Sequence, residues 1–344
     1  MVTFDAINIS TVWARLGKLC TEDNRDECKA FACSILGKTL RFVPEMEMRA
    51  LTSVFYGLAR VRLDLAAESL GPHLAEQLEE RVLALMKRGG FQDPRDPAQL
   101  WYGLDTTRYE WSEDFLRELV EATLEAIDGT DCHVVAATCI NLVSVTSSRK
   151  IILRQQQLER LARIVESIVD PDGDIDMIRS VDGLVGAISV LKLPVAPHVV
   201  PQLHSLALRT PAGLFWNGQT GMMLHIFTEL GHQPSTSDVL QWERITLEGD
   251  CLRLSLDAFS SAVWGLSFCT NYQPTAQLLD RLRDEAAKLP EDGTFIKTRI
   301  LTACTAWGVK VPTLSTQGDK VSGRRPQPQR PQRPTPRPSS APTP

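Results

Sequence analysis

The sequence predicts an all-α fold. The expected form is a right-handed-type α-solenoid of about seven to eight helical hairpins over residues 1–312, then a disordered Pro/Arg-rich tail over 313–344. Three observations predict it. One apolar face recurs along the chain, it recurs at intervals of about 40 residues, and a proline–arginine composition begins after the last recurrence. With 43% hydrophobic and 23% charged residues, the chain can bury a core along most of its length.

The recurring face is clearest in five segments that begin at Ile9, Leu51, Val135, Val181 and Phe259. Each places apolar or small residues at i, i+3, i+7 and i+10, which is one side of a helix. The second carries Leu51, Val54, Leu58 and Val61, and the fourth carries Val181, Leu184, Ile188 and Leu191. Fainter copies surround Leu104, Phe227 and Trp307. The i+7 residues, taken as anchors, are Leu16, Leu58, Leu104, Leu142, Ile188, Phe227, Leu266 and Trp307, spaced by 42, 46, 38, 46, 39, 39 and 41 residues.

Second helices are expected at Pro72–Lys87, Ser112–Ile127, Gln155–Val169 and Thr275–Leu289. Ser112 followed by two acids is a helix start, as is Pro274 before a leucine-periodic run. Gly90, Asp93-Pro94 and Asp170-Pro-Asp-Gly173 punctuate the connections. No stretch alternates as a strand does. Trp13, Phe55, Trp101 and Trp264 read as core filling between hairpins, and Gly57, Gly103, Gly186 and Gly265 as places where helices approach closely.

The tail from Arg324 to Arg337 is rich in Pro, Gln and Arg, too poor in apolar residues to fold, and of polyproline II character. From Thr313 onward six cations face Asp319 alone, so a chain of net charge −5 divides into a tail of +5 and a remainder of −10. That acidic remainder lacks the broad basic footprint of non-specific nucleic-acid binding and leaves room only for a local basic stripe. No apolar run is long enough to cross a bilayer, so no membrane association is expected. The opening Met1-Val-Thr-Phe-Asp-Ala lacks the basic and apolar regions of a secretory signal and is no clear transit peptide.

Enzyme signatures are missing: there is no phosphate loop, no G-x-S-x-G elbow and no H-E-x-x-H. The six histidines form no i, i+3 or i+4 pair. Asp170, Asp172, Asp174 and Asp176 lack the glutamate that would close a calcium loop, so they read as a solvated connector. No enzymatic activity, cofactor, metal or small-molecule substrate is expected.

The stretches Val12-Trp-Ala-Arg-Leu-Gly-Lys-Leu19, Val54-Phe-Tyr-Gly-Leu-Ala-Arg60 and Ala262-Val-Trp-Gly-Leu-Ser267 place an aromatic, a small residue and Leu in the first helix of each unit. In the first two a small and a basic residue follow. This pattern resembles the heptatricopeptide and octotricopeptide repeat proteins of organelles, the arrays found beside RAP domains and in FAST-kinase-like proteins. The resemblance implies RNA binding in organellar gene expression (transcript stability, processing, translation or ribosome assembly), in a mitochondrion or plastid. No RAP-like α/β segment follows the repeats in this chain. The candidate nucleic-acid contacts are Lys18, Arg60 and Arg108, two or four residues past their anchors, with Arg324, Arg325, Arg330, Arg333 and Arg337 of the tail. The alternative is a protein–protein scaffold that uses the same repeat surface, with cytoplasmic location as the alternative address.

The eight cysteines include no C-x-x-C pair, and several sit in apolar helical stretches, which points to reduced structural thiols in a reducing compartment. Denatured, unreduced protein is therefore expected to titrate close to eight free thiols. Disulfides found by mass spectrometry after thiol blocking would contradict this.

Overall fold

In the computed structural model, which describes residues 5–149, 151–209, 219–248, 256–289 and 295–310, every regular element is helical and no strand occurs among the described residues. The first eight α-helices are α1 (Ala6–Leu19), α2 (Arg25–Phe42), α3 (Met48–Arg60), α4 (Gly71–Gly89), α5 (Asp96–Thr106), α6 (Glu113–Ile127), α7 (Cys132–Arg149) and α8 (Gln155–Ile168). They are followed by α9 (Ile175–Leu191), α10 (Val199–Leu208), α11 (Gln219–Glu229), α12 (Thr236–Glu248), α13 (Leu256–Leu266), α14 (Ala276–Ala287) and α15 (Phe295–Ala306). By internal contacts the chain divides into Met1–Val311 and Pro312–Pro344. The tail expected to be disordered, with all five of its candidate arginines, lies outside the described residues.

The helices begin where short polar side chains accept the first free amides. Asp5 accepts from the amide of Asn8 at 2.8 Å, Ser112 from Phe115 at 3.2 Å, and Thr275 from Leu278 at 3.3 Å. The aspartate-rich connector between α8 and α9 is built the same way. Asp170 accepts from the Asp172 amide at 2.9 Å, and Asp174 caps α9 by accepting from Asp176 and Met177.

Each odd-numbered helix packs on the next odd-numbered one, from α1 on α3 through to α13 on α15. The even-numbered helices make a second series, α2 on α4, α4 on α6, α6 on α8, and α10 on α12. The core lies between these two series. Seven of the eight expected anchors are buried, and Trp307 is half-buried. Trp13, Phe55 and Trp101 are fully enclosed, each three residues before its anchor. The indoles of Trp13 and Trp101 donate to Thr39 on α2 (2.8 Å) and Thr123 on α6 (2.9 Å), so a buried N–H is satisfied across each hairpin. Trp264 departs from expectation: it is half-exposed, with its ring against His225 and Phe268 on one face of α11 and α13.

Small residues set the spacing of the odd series. A Cβ on Gly57 would lie 2.6 Å from the Trp13 carbonyl oxygen, and one on Gly103 would lie 2.6 Å from Phe55 Cβ. Gly186 does not act this way, because nothing stands within 4 Å of its absent Cβ. In that unit the close approach is made three residues earlier, where a Cβ on Gly183 would come within 2.9 Å of the Ala136 carbonyl.

Several odd helices end identically. The amides of Leu63, Leu193, His232 and Val309 donate to the carbonyls of Leu58, Ile188, Phe227 and Cys304 at 3.1, 3.1, 3.0 and 2.8 Å. The residue before each donor is left-handed: Arg62, Lys192, Gly231 and Gly308. This is the Schellman ending, whose accepting carbonyl belongs to the anchor. It relocates the eighth anchor from Trp307 to Cys304, which is buried. The sequence pattern favoured the large aromatic, whereas the hydrogen bonds fix the register three residues earlier.

Gly57→Ala is expected to destabilise the protein by about 1–3 kcal/mol, since its Cβ meets backbone rather than a movable side chain. Gly186→Ala is expected to be neutral or stabilising by up to about 1 kcal/mol, because it replaces mid-helix glycine in open space. Urea unfolding of the two variants checks the pair, and a Gly57→Ala variant as stable as the parent would show that the approach is not needed.

Candidate functional site

Lys18 stands exposed in the last turn of α1, where a cation faces the negative end of the helix dipole. Arg60, the last residue of α3, reaches back across the same helix end. Its Nε and Nη2 donate to the carbonyls of Gly17 and Cys20 at 3.2 and 3.3 Å. Arg60 thus links two successive units as well as carrying charge. Arg108 follows α5 in a left-handed conformation (φ 51°), and its guanidinium lies 4.0 Å from the Asp64 carboxylate. The structure therefore brings Lys18 and Arg60 together at the end of α1 and sets Arg108 beside the segment that leaves α3.

Sequence reasoning missed the aromatic component of this face. Tyr56 and Tyr102 are half-exposed on α3 and α5, with ring centroids 6.5 Å apart. Tyr56 stands beside Arg60, since both would touch a Cβ placed on Gly17. Each tyrosine lies two residues before its anchor. In later units the same position holds Ile140, Gly186, His225 and Trp264, all at least partly exposed. The signal was present in the sequence as the residue preceding Gly57 and Gly103, but the glycines drew the attention to packing.

The helix ends hold other arginines in structural duty. At α5 the Schellman bond to Leu104 is not made, and the Leu104 carbonyl instead accepts from Arg149 Nη2 at 3.0 Å. Arg209 donates to the carbonyls of Pro171 and Gly173 at 2.8 and 3.0 Å, holding the connector before α9. Asp96 is buried at the start of α5, where it accepts from Arg49 at 2.7 Å and Thr52 at 3.1 Å. Burial raises its pKa against the opposing pull of Arg49.

Two buried polar clusters lie further along. Glu243 of α12 accepts from the Tyr272 hydroxyl at 2.6 Å and from the Thr275 amide at 3.1 Å, which ties α12 to the start of α14. Burial, then the Glu243 carboxylate, pushes the Tyr272 hydroxyl pKa far upward. His204 of α10 accepts from the Trp242 indole at 3.2 Å through Nε2, so its ring is neutral. Phe227 and His232 close around it, with the His232 ring centroid at 4.7 Å. These two histidines are distant in sequence, which is why no pair was visible there.

Seven cysteines are free, and Cys251 lies outside the described residues. Burial pushes the Cys139 thiol up to about 12 and Cys269 to about 11, so neither is a ready nucleophile. Among the described residues no three His, Cys, Asp or Glu side chains converge as for a metal ion, and no helix is long and apolar enough to cross a membrane. No protein-family model matches the chain, and no curated protein matches it.

Burial lowers the His204 pKa to about 4, and lowers that of His232 as well, while Asp238 opposes both shifts. Because the folded value lies below the unfolded one, His204 contributes its full stability above about pH 6.5. That contribution falls as the pH drops toward 4, where the unfolded chain binds a proton that the folded chain refuses. The expected loss is on the order of 3 kcal/mol for His204 by pH 4. Urea unfolding at pH 7, 6, 5 and 4 (a range of roughly three units) measures it, and His204→Gln should flatten the slope.

Proposed function

We propose that the two helix series form an α-solenoid of stacked hairpins and that its odd-helix face binds single-stranded RNA. The observation that carries this reading is the Tyr56–Tyr102 pair, half-exposed and 6.5 Å apart, beside Lys18 and Arg60. Aromatic rings offer every base a stacking surface, and cations at the helix ends meet the phosphates. The hairpin spacing and the resemblance to organellar repeat arrays favour a role in organellar gene expression, in a mitochondrion or plastid. The acidic remainder of the chain repels phosphate at long range, so binding depends on this local patch.

Single-stranded RNA is expected to bind a chain ending at residue 312. Its affinity should fall with salt at a log–log slope of about −2 for three neutralised phosphates. Lys18→Glu, Arg60→Glu and Arg108→Glu together should abolish binding, and Tyr56→Leu with Tyr102→Leu should weaken it by about 1–3 kcal/mol per lost stack. Filter binding at two salt concentrations measures both effects. Because Arg60 also links two units, the melting temperature of the triple variant is recorded alongside. Binding that requires Arg324–Arg337 and ignores these substitutions would assign the affinity to a generic polycation.

A further inference from the structure

A groove of about 740 Å³ lies between the start of α6 and the α7–α8 connection, away from the tyrosine face. Trp111, Leu116 and Val120 supply apolar lining, and Ile152 projects from the connection at 91% exposure. Trp111 is only 7% exposed and held by Phe55, Tyr109 and Phe115 at ring distances of 5.0–5.7 Å, yet its indole Nε1–H has no acceptor. A buried donor without a partner is costly in a folded protein, and here it belongs to a side chain that lines an open groove.

The charges of the groove are unbalanced. Of its arginines, Arg149 is committed to the Leu104 and Tyr109 carbonyls and Arg117 to Asp114. The exposed Glu110 and Glu113 have no ion-pair partner among the described residues. Asp114, Glu118, Glu121, Glu125 and Asp128 extend the acidic character as one exposed stripe along α6, offset within the groove only by Arg154.

We propose that this groove docks an extended segment of a partner protein that combines apolar side chains with arginine or lysine. Its apolar side chains fill the groove beneath Ile152, its cations meet Glu110, Glu113 and the α6 stripe, and a backbone carbonyl accepts from Trp111 Nε1. This proposal is independent of the RNA reading, which concerns a different face and different residues.

The test titrates the full chain against a short fluorescein-labelled peptide of alternating Leu and Arg, with alternating Leu and Glu as control, by fluorescence anisotropy. The Leu/Arg peptide should bind at least about tenfold more tightly than the control. Ile152→Ser, and Glu110→Lys with Glu113→Lys, alter exposed side chains and should each weaken binding about tenfold at unchanged melting temperature. Trp111→Phe identifies one indole N–H resonance, which in the parent protein should move downfield on addition of peptide. Equal affinity for both peptides, indifference to Ile152 and the two glutamates, or a stationary Trp111 resonance would each overturn the proposal. So would displacement of the peptide by oligouridylate with the same dependence on Ile152, which would give the groove to RNA. Dimerisation lost in Ile152→Ser would give it to a second copy and overturn it equally.

Discussion

The missing side chain at Gly57 lets the backbone of α3 lie against the Trp13 carbonyl, and the packing of the odd-helix series depends on approaches of this kind. Gly103 does the same against Phe55, and Gly183 against Ala136. Helices this close leave no room for a second layer between them, so the large aromatics must turn inward. There Trp13 and Trp101 meet the threonines of the even series. The mid-helix glycines cost local helix stability, roughly 1 kcal/mol each, and the contact they permit offsets it. Glycine and tryptophan recur together because each makes the other's position possible.

The same close approach explains where the arginines go. Arg60, Arg149 and Arg209 donate to carbonyls 36 to 45 residues earlier in the chain, which is one repeat back. Helix ends in neighbouring units therefore lie near enough for one guanidinium to satisfy two orphan acceptors. These cations act first as links between units. The carboxylates of α6 have no comparable duty and remain on the surface. The acidic balance of the body is thus partly a consequence of its packing.

The helical class and most of the register were legible because they rest on apolar periodicity, which the sequence displays directly. Seven anchors fell on buried residues for this reason. The eighth failed because Trp307 and Cys304 both suit an apolar face, and only the Schellman bond from Val309 distinguishes them. Helices α2, α10 and α12 were not singled out. In α10 the prolines at 194, 197 and 201 read as breakers, although Pro201 falls in the first turn, where no intrahelical donor is lost. Of the candidate site, the three cations were legible as positions but not as roles. Arg60 and a purely solvated arginine look alike until the Gly17 and Cys20 carbonyls are placed. The His204–His232 contact and the Trp111 groove depend on chain segments brought together only by the fold, and nothing local announces them.

Packing and surface positions obey different constraints along this chain, and that difference bears on what its units do. The anchor and the close-approach glycine are fixed by geometry, so they repeat. The residue two before the anchor faces outward and is free to vary: it is tyrosine in α3 and α5, isoleucine in α7, glycine in α9, histidine in α11 and tryptophan in α13. Two aromatic contacts result, Tyr56 with Tyr102 and His225 with Trp264, separated by two units that offer neither ring nor charge at that position. Cations accompany the first contact. The second instead has His225 beside Glu229 at 3.3 Å and Arg299 paired with Asp257 at 3.1 Å, so its charges are already met. A polyanion gains electrostatic attraction at the first contact and little at the second. On these grounds the units are not interchangeable, and the α1–α5 end is where a phosphate backbone finds unsatisfied charge.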